Sequence, residues 1–337
     1  MQSSQEPPFV KATGLTKIFK DFWFRPRVVA LDNLDLSILP GEVHGLLGSN
    51  GAGKSTTIKL LLGLLFPTSG DIEVFGKPPG NVSAKNRIGY LPEESYLYGF
   101  LDAGEILDYY ARLFNIPRDT RSRRIAELLE MVGLQGMEHR PLAEFSKGMQ
   151  RRIGIAQALI NNPDLVILDE PTNGLDPAGR SAMLELISRL HREQGKSILL
   201  SSHLLGDVER VCDSVVILDK GRVLAHGEVG ALASSRANSY RIQVSGSQEN
   251  LGDHLGGRGV EVEALPWRGG AVSRDYIVTL PEQADTRLLF EVFAAGGAAE
   301  SVGLLSGLWP HEENLETVFE RIVAAEAGAE TGKGETG

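Results

Sequence analysis

Residues 48–56 read GSNGAGKST, directly after the apolar run EVHGLL at 42–47. The spacing Gly48-x-x-x-x-Gly53-Lys54-Ser55 is that of a phosphate-binding loop. Glycines let the backbone turn tightly and come close to a ligand with no Cβ in the way. Successive N–H groups then point inward as an anion-binding nest, and a helix opening near Lys54 adds the positive end of its dipole. Ser49, Asn50, Gly51, Ala52, Gly53 and Thr56 form the cradle in this reading. Lys54 reaches the β- and γ-phosphates, and the Ser55 hydroxyl binds Mg²⁺. The plain alternative is a glycine-rich turn before a helix. The context argues against it, because the strand pattern GEVHGLLG precedes and the apolar helical pattern TTIKLLLGLL follows. The loop specifies a nucleotide and leaves open what its energy drives.

The chain has 337 residues, of which 42% are hydrophobic, enough for one large domain and a small one. A net charge of −10 makes it a poor general binder of nucleic-acid phosphate, so no nucleic-acid partner is expected. The single cysteine, Cys212, excludes an intramolecular disulfide and reads as a small buried apolar residue. The opening MQSSQEPPFVK lacks the pattern of a signal peptide, and the apolar stretch LLLGLLF is too short to span a bilayer. The polypeptide is expected to be soluble, with any membrane span supplied by another chain.

Residues 8–45 alternate like strands; GDIEVFG and RIGYLPE are further short strands. From about 100 to 145 the period turns helical, in DAGEILDYYARLF and TRSRRIAELLEMVGL, with Ile125, Leu128, Leu129 and Val132 on one face. Arg121, Arg123 and Arg124 there read as a solvated face. GMQRRIGIAQALI is a helix, LVILDEP a buried strand, 178–194 a helix, and SILLSSH and SVVILDKGRVLAHG strands. Strands alternating with helices imply a mainly parallel sheet. At about 233 the polar linker LASSRANS begins a second region, 233–325, read as a small α+β domain with ferredoxin-like alternation. It includes helix candidates in DTRLLFEVFAAG and NLETVFERIVAAE. Residues 326–337 lack apolar periodicity and read as a disordered tail.

Four more motifs follow the loop in order: EFSKGMQRR at 144–152, LVILDEP at 165–171, TNGLDP at 172–177 and SSHLL at 201–205. Over residues 8–232 the chain resembles the ATP-binding cassette (ABC) ATPases, which implies an α/β P-loop NTPase fold with an inserted helical subdomain at about 100–160. The resemblance implies the following roles. Ser146, Gly148 and Gln150 belong to the signature motif that meets the nucleotide of a second subunit, with Lys147 and Met149 varying it. Glu170 is the catalytic carboxylate, Asp169 the Mg²⁺-side acid, Asp176 the residue that communicates across the dimer, and His203 the switch histidine. Phe19 stands where the family stacks an aromatic on adenine, with Phe22, Trp23 and Phe24 close by; it reads equally as a core aromatic. Glu93, in GYLPEES, replaces the usual glutamine that reaches Mg²⁺ and the water, as in many export-type relatives. Taken alone, His203 reads as a strand-end histidine, Glu170 as a helix-capping acid and Asp176 as an N-cap before Pro177.

One loop and one signature motif per chain imply that two copies are needed, closing two composite sites around ATP and Mg²⁺. The resemblance further implies a peripheral subunit on the cytoplasmic face of a membrane, under a separate integral permease, in an exporter. Tyr96, Leu97, Tyr98 and Phe100 suit an interface with such a permease. The alternative is a soluble ABC ATPase acting on a ribosome or DNA complex, but relatives of that kind usually carry two cassettes or a long coiled coil, and this sequence has neither.

Overall fold

The structure, a computed structural model, describes residues 6–20, 23, 25–94, 97–233, 239–245, 251–265, 273–281, 284–294 and 304–310. They divide into two compact units that meet between Val229 and Gly230. The helix candidate at 314–326, the tail at 326–337, Phe22, Phe24 and Tyr96 lie outside the described residues.

The first unit begins with β1 (Val10–Lys20), β2 (Pro26–Ile38), β3 (Val43–Gly48), α1 (Lys54–Leu61), β4 (Ser69–Val74), α2 (Val82–Lys85) and β5 (Ile88–Leu91). α3 (Ala103–Leu113), α4 (Arg118–Met131) and α5 (Lys147–Ala158) follow. Then come β6 (Leu165–Asp169), α6 (Pro177–Gln194), β7 (Ser197–Ser202), α7 (Leu205–Val211), β8 (Ser214–Asp219) and β9 (Arg222–Glu228). Six strands form one sheet in the order β5-β6-β7-β3-β8-β9, parallel except for the antiparallel pair β8–β9. Each residue of β3, β6 and β7 is buried, as strands covered on both faces require. A separate antiparallel sheet, ordered β2-β1-β4, joins strands from distant parts of the sequence. Its independence from the parallel sheet was not foreseen, since strand alternation carries no pairing information. Leu15, Leu34, Ile38, Leu46, Ile58 and Ile167 belong to the core between these layers, and α1 contributes to it.

In the helical segment the structure corrects one expectation. Of Arg121, Arg123 and Arg124, only Arg123 is solvated; Arg121 ion-pairs with Asp108 at 2.7 Å and Arg124 donates to the Leu159 carbonyl at 2.8 Å. Both guanidinium groups tie α4 to neighbouring elements. α3 starts at a full capping box: Asp102 accepts from the Glu105 amide at 2.7 Å and Glu105 accepts from the Asp102 amide at 3.0 Å.

α8 (Val229–Ala233) lies at the junction. The second unit contains β10 (Ser239–Ser245), α9 (Leu251–Gly256), β11 (Glu261–Ala264), β12 (Ser273–Thr279), α10 (Arg287–Ala294) and β13 (Leu304–Pro310). Its sheet is antiparallel, ordered β11-β12-β10-β13. This βαββαβ order is the split βαβ, ferredoxin-like arrangement. Ile242, Val244, Leu255, Val278, Leu289 and Val292 form a core of its own.

Candidate active site

Parallel strands that share one direction end on one edge, and loops leaving that edge meet. Here Leu91 of β5 pairs with Leu168 of β6, Asp169 of β6 with Ser201 of β7, and Leu47 of β3 with Ser202 of β7. The register therefore places the segments after β5, β6, β7 and β3 side by side. These segments carry Glu93, Glu170, His203 and the glycine-rich loop.

The loop runs from the end of β3 into α1, whose N-cap is Gly53. Gly53 adopts φ 111°, and a Cβ there would stand 2.7 Å from the Ala30 carbonyl oxygen and 2.8 Å from the Leu31 side chain. Only glycine fits both the angle and the space. A cavity of about 510 Å³ opens beside this turn. Ser49, Asn50, Gly51, Gly53, Lys54, Ser55 and Thr56 line it together with Glu93 and Glu170, as expected of a phosphate cradle. Ala52 is buried beneath the turn.

Lys54 is itself buried, and its ammonium donates to the carbonyls of Gly48 at 2.6 Å and Ser49 at 3.2 Å. It also stands 3.0 Å from Glu170 Oε1, a buried oxygen that makes no hydrogen bond. Charge attraction, not hydrogen-bond geometry, links the two. Glu170 follows the last residue of β6 and turns the chain at φ 48°, a region costly for a residue with a Cβ. That turn lets one carboxylate face two partners: Oε1 faces Lys54, and Oε2 pairs with His203 Nδ1 at 2.8 Å. The Glu170 amide donates to Ser201 Oγ at 3.0 Å, and Ser201 donates to Asp169 Oδ1 at 2.6 Å. Ser201 was missed in the sequence; its only signal was its place two residues before His203.

Burial is the main force pushing the Asp169 carboxyl up from its ordinary range. Hydrogen bonds from Ser201 and Ser55 oppose the rise, and the charges of Glu93 and Glu170 add to it. The Tyr90 phenol on β5 is pushed up to about 12 by burial and then by Asp169 and Glu93. Negative charge is thus concentrated against the cradle, and a divalent cation would relieve it. Among the described residues no three acidic, histidine or cysteine side chains converge on one point. The donors fit Mg²⁺ in its usual manner, held by one or two protein oxygens with the remainder from phosphates and water. Ser55 and Asp169, close enough for the hydroxyl to favour the charged carboxylate, are the residues that would hold it, with Glu93 also lining the cavity.

Other expected residues stand apart from this cavity. Ser146 caps α5 by accepting from the Met149 amide at 3.3 Å, and Gln150 turns back to donate to the Phe145 carbonyl. Asp176 caps α6 by accepting from the Gly179 amide at 3.0 Å. Neither these residues nor Gly148 line the cavity. Gly174 lies under the first residue of the signature helix: a Cβ on it would meet Lys147 Nζ at 1.8 Å. Phe19, on β1 opposite Val28, is 39% exposed and does not line the cavity, whereas Val28, Val29 and Lys220 do. Those three were not singled out, since nothing in their local sequence places β2 or the β8–β9 turn beside the loop. Tyr98 and Phe100 are exposed, with ring centroids 5.7 Å apart.

Comparison with known proteins adds relatives to this geometry. The sequence model of the family described as ABC transporter matches residues 31–173. An uncharacterized ABC transporter ATP-binding protein of Synechocystis is 40% identical over 274 residues, covering 79% of this chain and 77% of that protein. The Nod factor export ATP-binding protein I of Cupriavidus metallidurans is 39% identical over 230 residues, 67% of this chain and 76% of that one. Among solved structures, a dimeric ATP-binding cassette in a post-hydrolysis state with ADP and Pi matches with a TM-score of 0.58 at 26% identity. It covers 65% of this chain and 98% of that one.

Proposed function

The chain belongs to the ABC transporter ATP-binding proteins and is an ATPase, and from that premise we propose that it works as a homodimer energising an exporter. The observation that carries the reading is the division of motifs in the monomer. Loop, Glu93 and Glu170 line one cavity, while Ser146, Gly148 and Asp176 lie outside it with their helix N-termini uncommitted to it. A second copy would bring its own Ser146 and the N-terminus of its α5 to the γ-phosphate. The dimeric cassette with ADP and Pi supports that pairing, and the Nod factor export relative supports the direction.

In this site Lys54 leaves Glu170 for the phosphates, and Glu170 is freed to orient the attacking water, with His203 steadying its second oxygen. Bound Mg²⁺ supplies electrostatic stabilisation of the phosphate charge. Catalysis is then positioning plus electrostatics. Hydrolysis returns charge repulsion to the interface and separates the copies. No helix among the described residues is long and apolar enough to cross a membrane. In the proposed exporter a separate integral permease supplies the substrate path, and the dimer sits on the cytoplasmic side beneath it; the Nod factor export relative supports that arrangement. The exposed pair Tyr98 and Phe100 offers the permease an aromatic contact.

Mixing Ser146→Arg with Lys54→Ala tests the composite site. Each variant alone should be inactive. A mixed dimer places both lesions in one site and leaves the other intact, so activity should return in part. No recovery across mixing ratios, with mixed dimers shown by mass, would count against the shared site. Expression with a membrane fraction should recover a polytopic partner; recovery on ribosomes or DNA instead would overturn the transport reading.

A further inference from the structure

Arg151 is 5% exposed, in the second turn of α5, the helix that Ser146 caps. A buried guanidinium is costly unless its charge is answered and its donors are used. Its Nη1 donates at 2.8 Å to the carbonyl of Pro92, the residue immediately before Glu93. Burial lowers the guanidinium's hold on its proton, and the charges of Glu93, Asp169, Glu170 and Glu94 oppose that, in falling order. The group therefore lies within the electrostatic reach of the carboxylates crowded beside the cradle. Glu93 has one further tether, from Asn173 Nδ2 at 3.1 Å, which reaches it from the loop after Glu170. The segment carrying Glu93 leaves β5 after only four paired residues, and its described residues 92–94 are not helical.

We propose that Arg151 is a positioning residue for hydrolysis: from the signature helix it clamps the Pro92 carbonyl, fixes the loop that presents Glu93 to the nucleotide, and balances the charge of Glu93, Asp169 and Glu170. The reason for arginine is physical. Glu93 carries a full negative charge where an amide would carry none, and a permanently charged donor offsets it without leaving the fold. The link also joins two motifs of one subunit: the helix that serves the neighbour's nucleotide holds the loop that serves its own. This inference rests on the ATPase dimer proposed above.

The test compares wild type with Arg151→Met and Arg151→Lys in the full chain, reading kcat, ATP affinity and hydrogen exchange at the amides of Leu91, Glu93 and Glu94. Methionine keeps the stem and loses both the charge and the donor. It should lower kcat by about 10- to 100-fold, leave ATP affinity within about twofold because Lys54 and the cradle are untouched, and speed exchange at those three amides by about tenfold. Lysine retains the charge and can donate, so it should restore much of both. A purely structural role would instead raise exchange throughout α5 and weaken ATP binding in step with stability, and that outcome overturns the proposal. So does an unchanged kcat in Arg151→Met, or a lysine variant no better than methionine. If methionine fails to fold, Arg151→Gln replaces it, and the same loss of kcat with ATP affinity retained is required. Wild type without ATPase activity would sink the functional reading itself, while an active wild type with indifferent variants sinks only the role of Arg151.

Discussion

Glu170 occupies a backbone conformation at φ 48° that costs about 1–3 kcal/mol for a residue with a side chain. The strain is spent on aim, since the turn points one carboxylate at both Lys54 and His203. Glu170→Gln keeps the turn and the size but loses the charge that orients water. Hydrolysis should fall by at least about a hundredfold while ATP binding persists, and a nucleotide-held dimer should accumulate on gel filtration. Asp169 carries a different cost. Its carboxyl is held above its ordinary value, mainly by burial, so the charged form is disfavoured in the fold. Stability contributed by such a group is present at low pH and is lost as pH rises through the raised value. At neutral pH Asp169→Asn should therefore raise the melting temperature of the nucleotide-free protein by about 1–4 °C while abolishing Mg²⁺-dependent ATPase activity. A scan and a turnover assay check both halves. Site stability is here traded for function. Both acids were singled out from LVILDEP, but the strain at Glu170 and the Ser201 bridge were not, because neither leaves a compositional mark.

At the scale of elements, two starts of helices make contrasting predictions. Gly53 begins α1 with no room for a Cβ, so Gly53→Ala should push the loop off the Ala30 carbonyl and weaken ATP binding by more than about tenfold, as read by nucleotide fluorescence. Asp102 begins α3 through a side-chain capping box. Asp102→Ala should cost about 1 kcal/mol of stability and leave ATP turnover per folded molecule unchanged, by denaturant titration and ATPase assay. The helices themselves were readable from apolar spacing. Arg121 and Arg124 of α4 were misread as solvated because periodicity describes one helix, and Asp108 and the Leu159 carbonyl belong to others. Pairing of β1 with β4 was invisible for the same reason: nothing local in either strand names a partner some sixty residues away.

At the scale of the molecule, each unit has its own core. All loop, acid and signature residues lie before Val229. A chain ending at Val229 should therefore fold and bind ATP within about twofold of the full protein. We expect the lost unit to be felt in dimer mass or partner assembly, which analytical ultracentrifugation of the two chains compares. Loss of ATP binding by a folded 1–229 chain would show that the second region supports the site.

The sequence by itself determined the ligand and the chemistry: the glycine-rich loop, the paired acids after an apolar strand and the order of motifs each need specific residue types at fixed local spacing. It also determined the alternating pattern that became βαββαβ in the second unit, because turn signals and apolar periods are local. Only the tertiary structure decided which motifs meet. The order β5-β6-β7-β3 and its register carry Glu93, Glu170 and His203 to the loop, and they leave the signature residues outside the cavity. The structure alone also revealed Arg151 beneath Pro92. The reason is that strand pairing and the burial of a charge are settled by contacts between segments far apart in the chain, where no residue's own neighbours record the outcome.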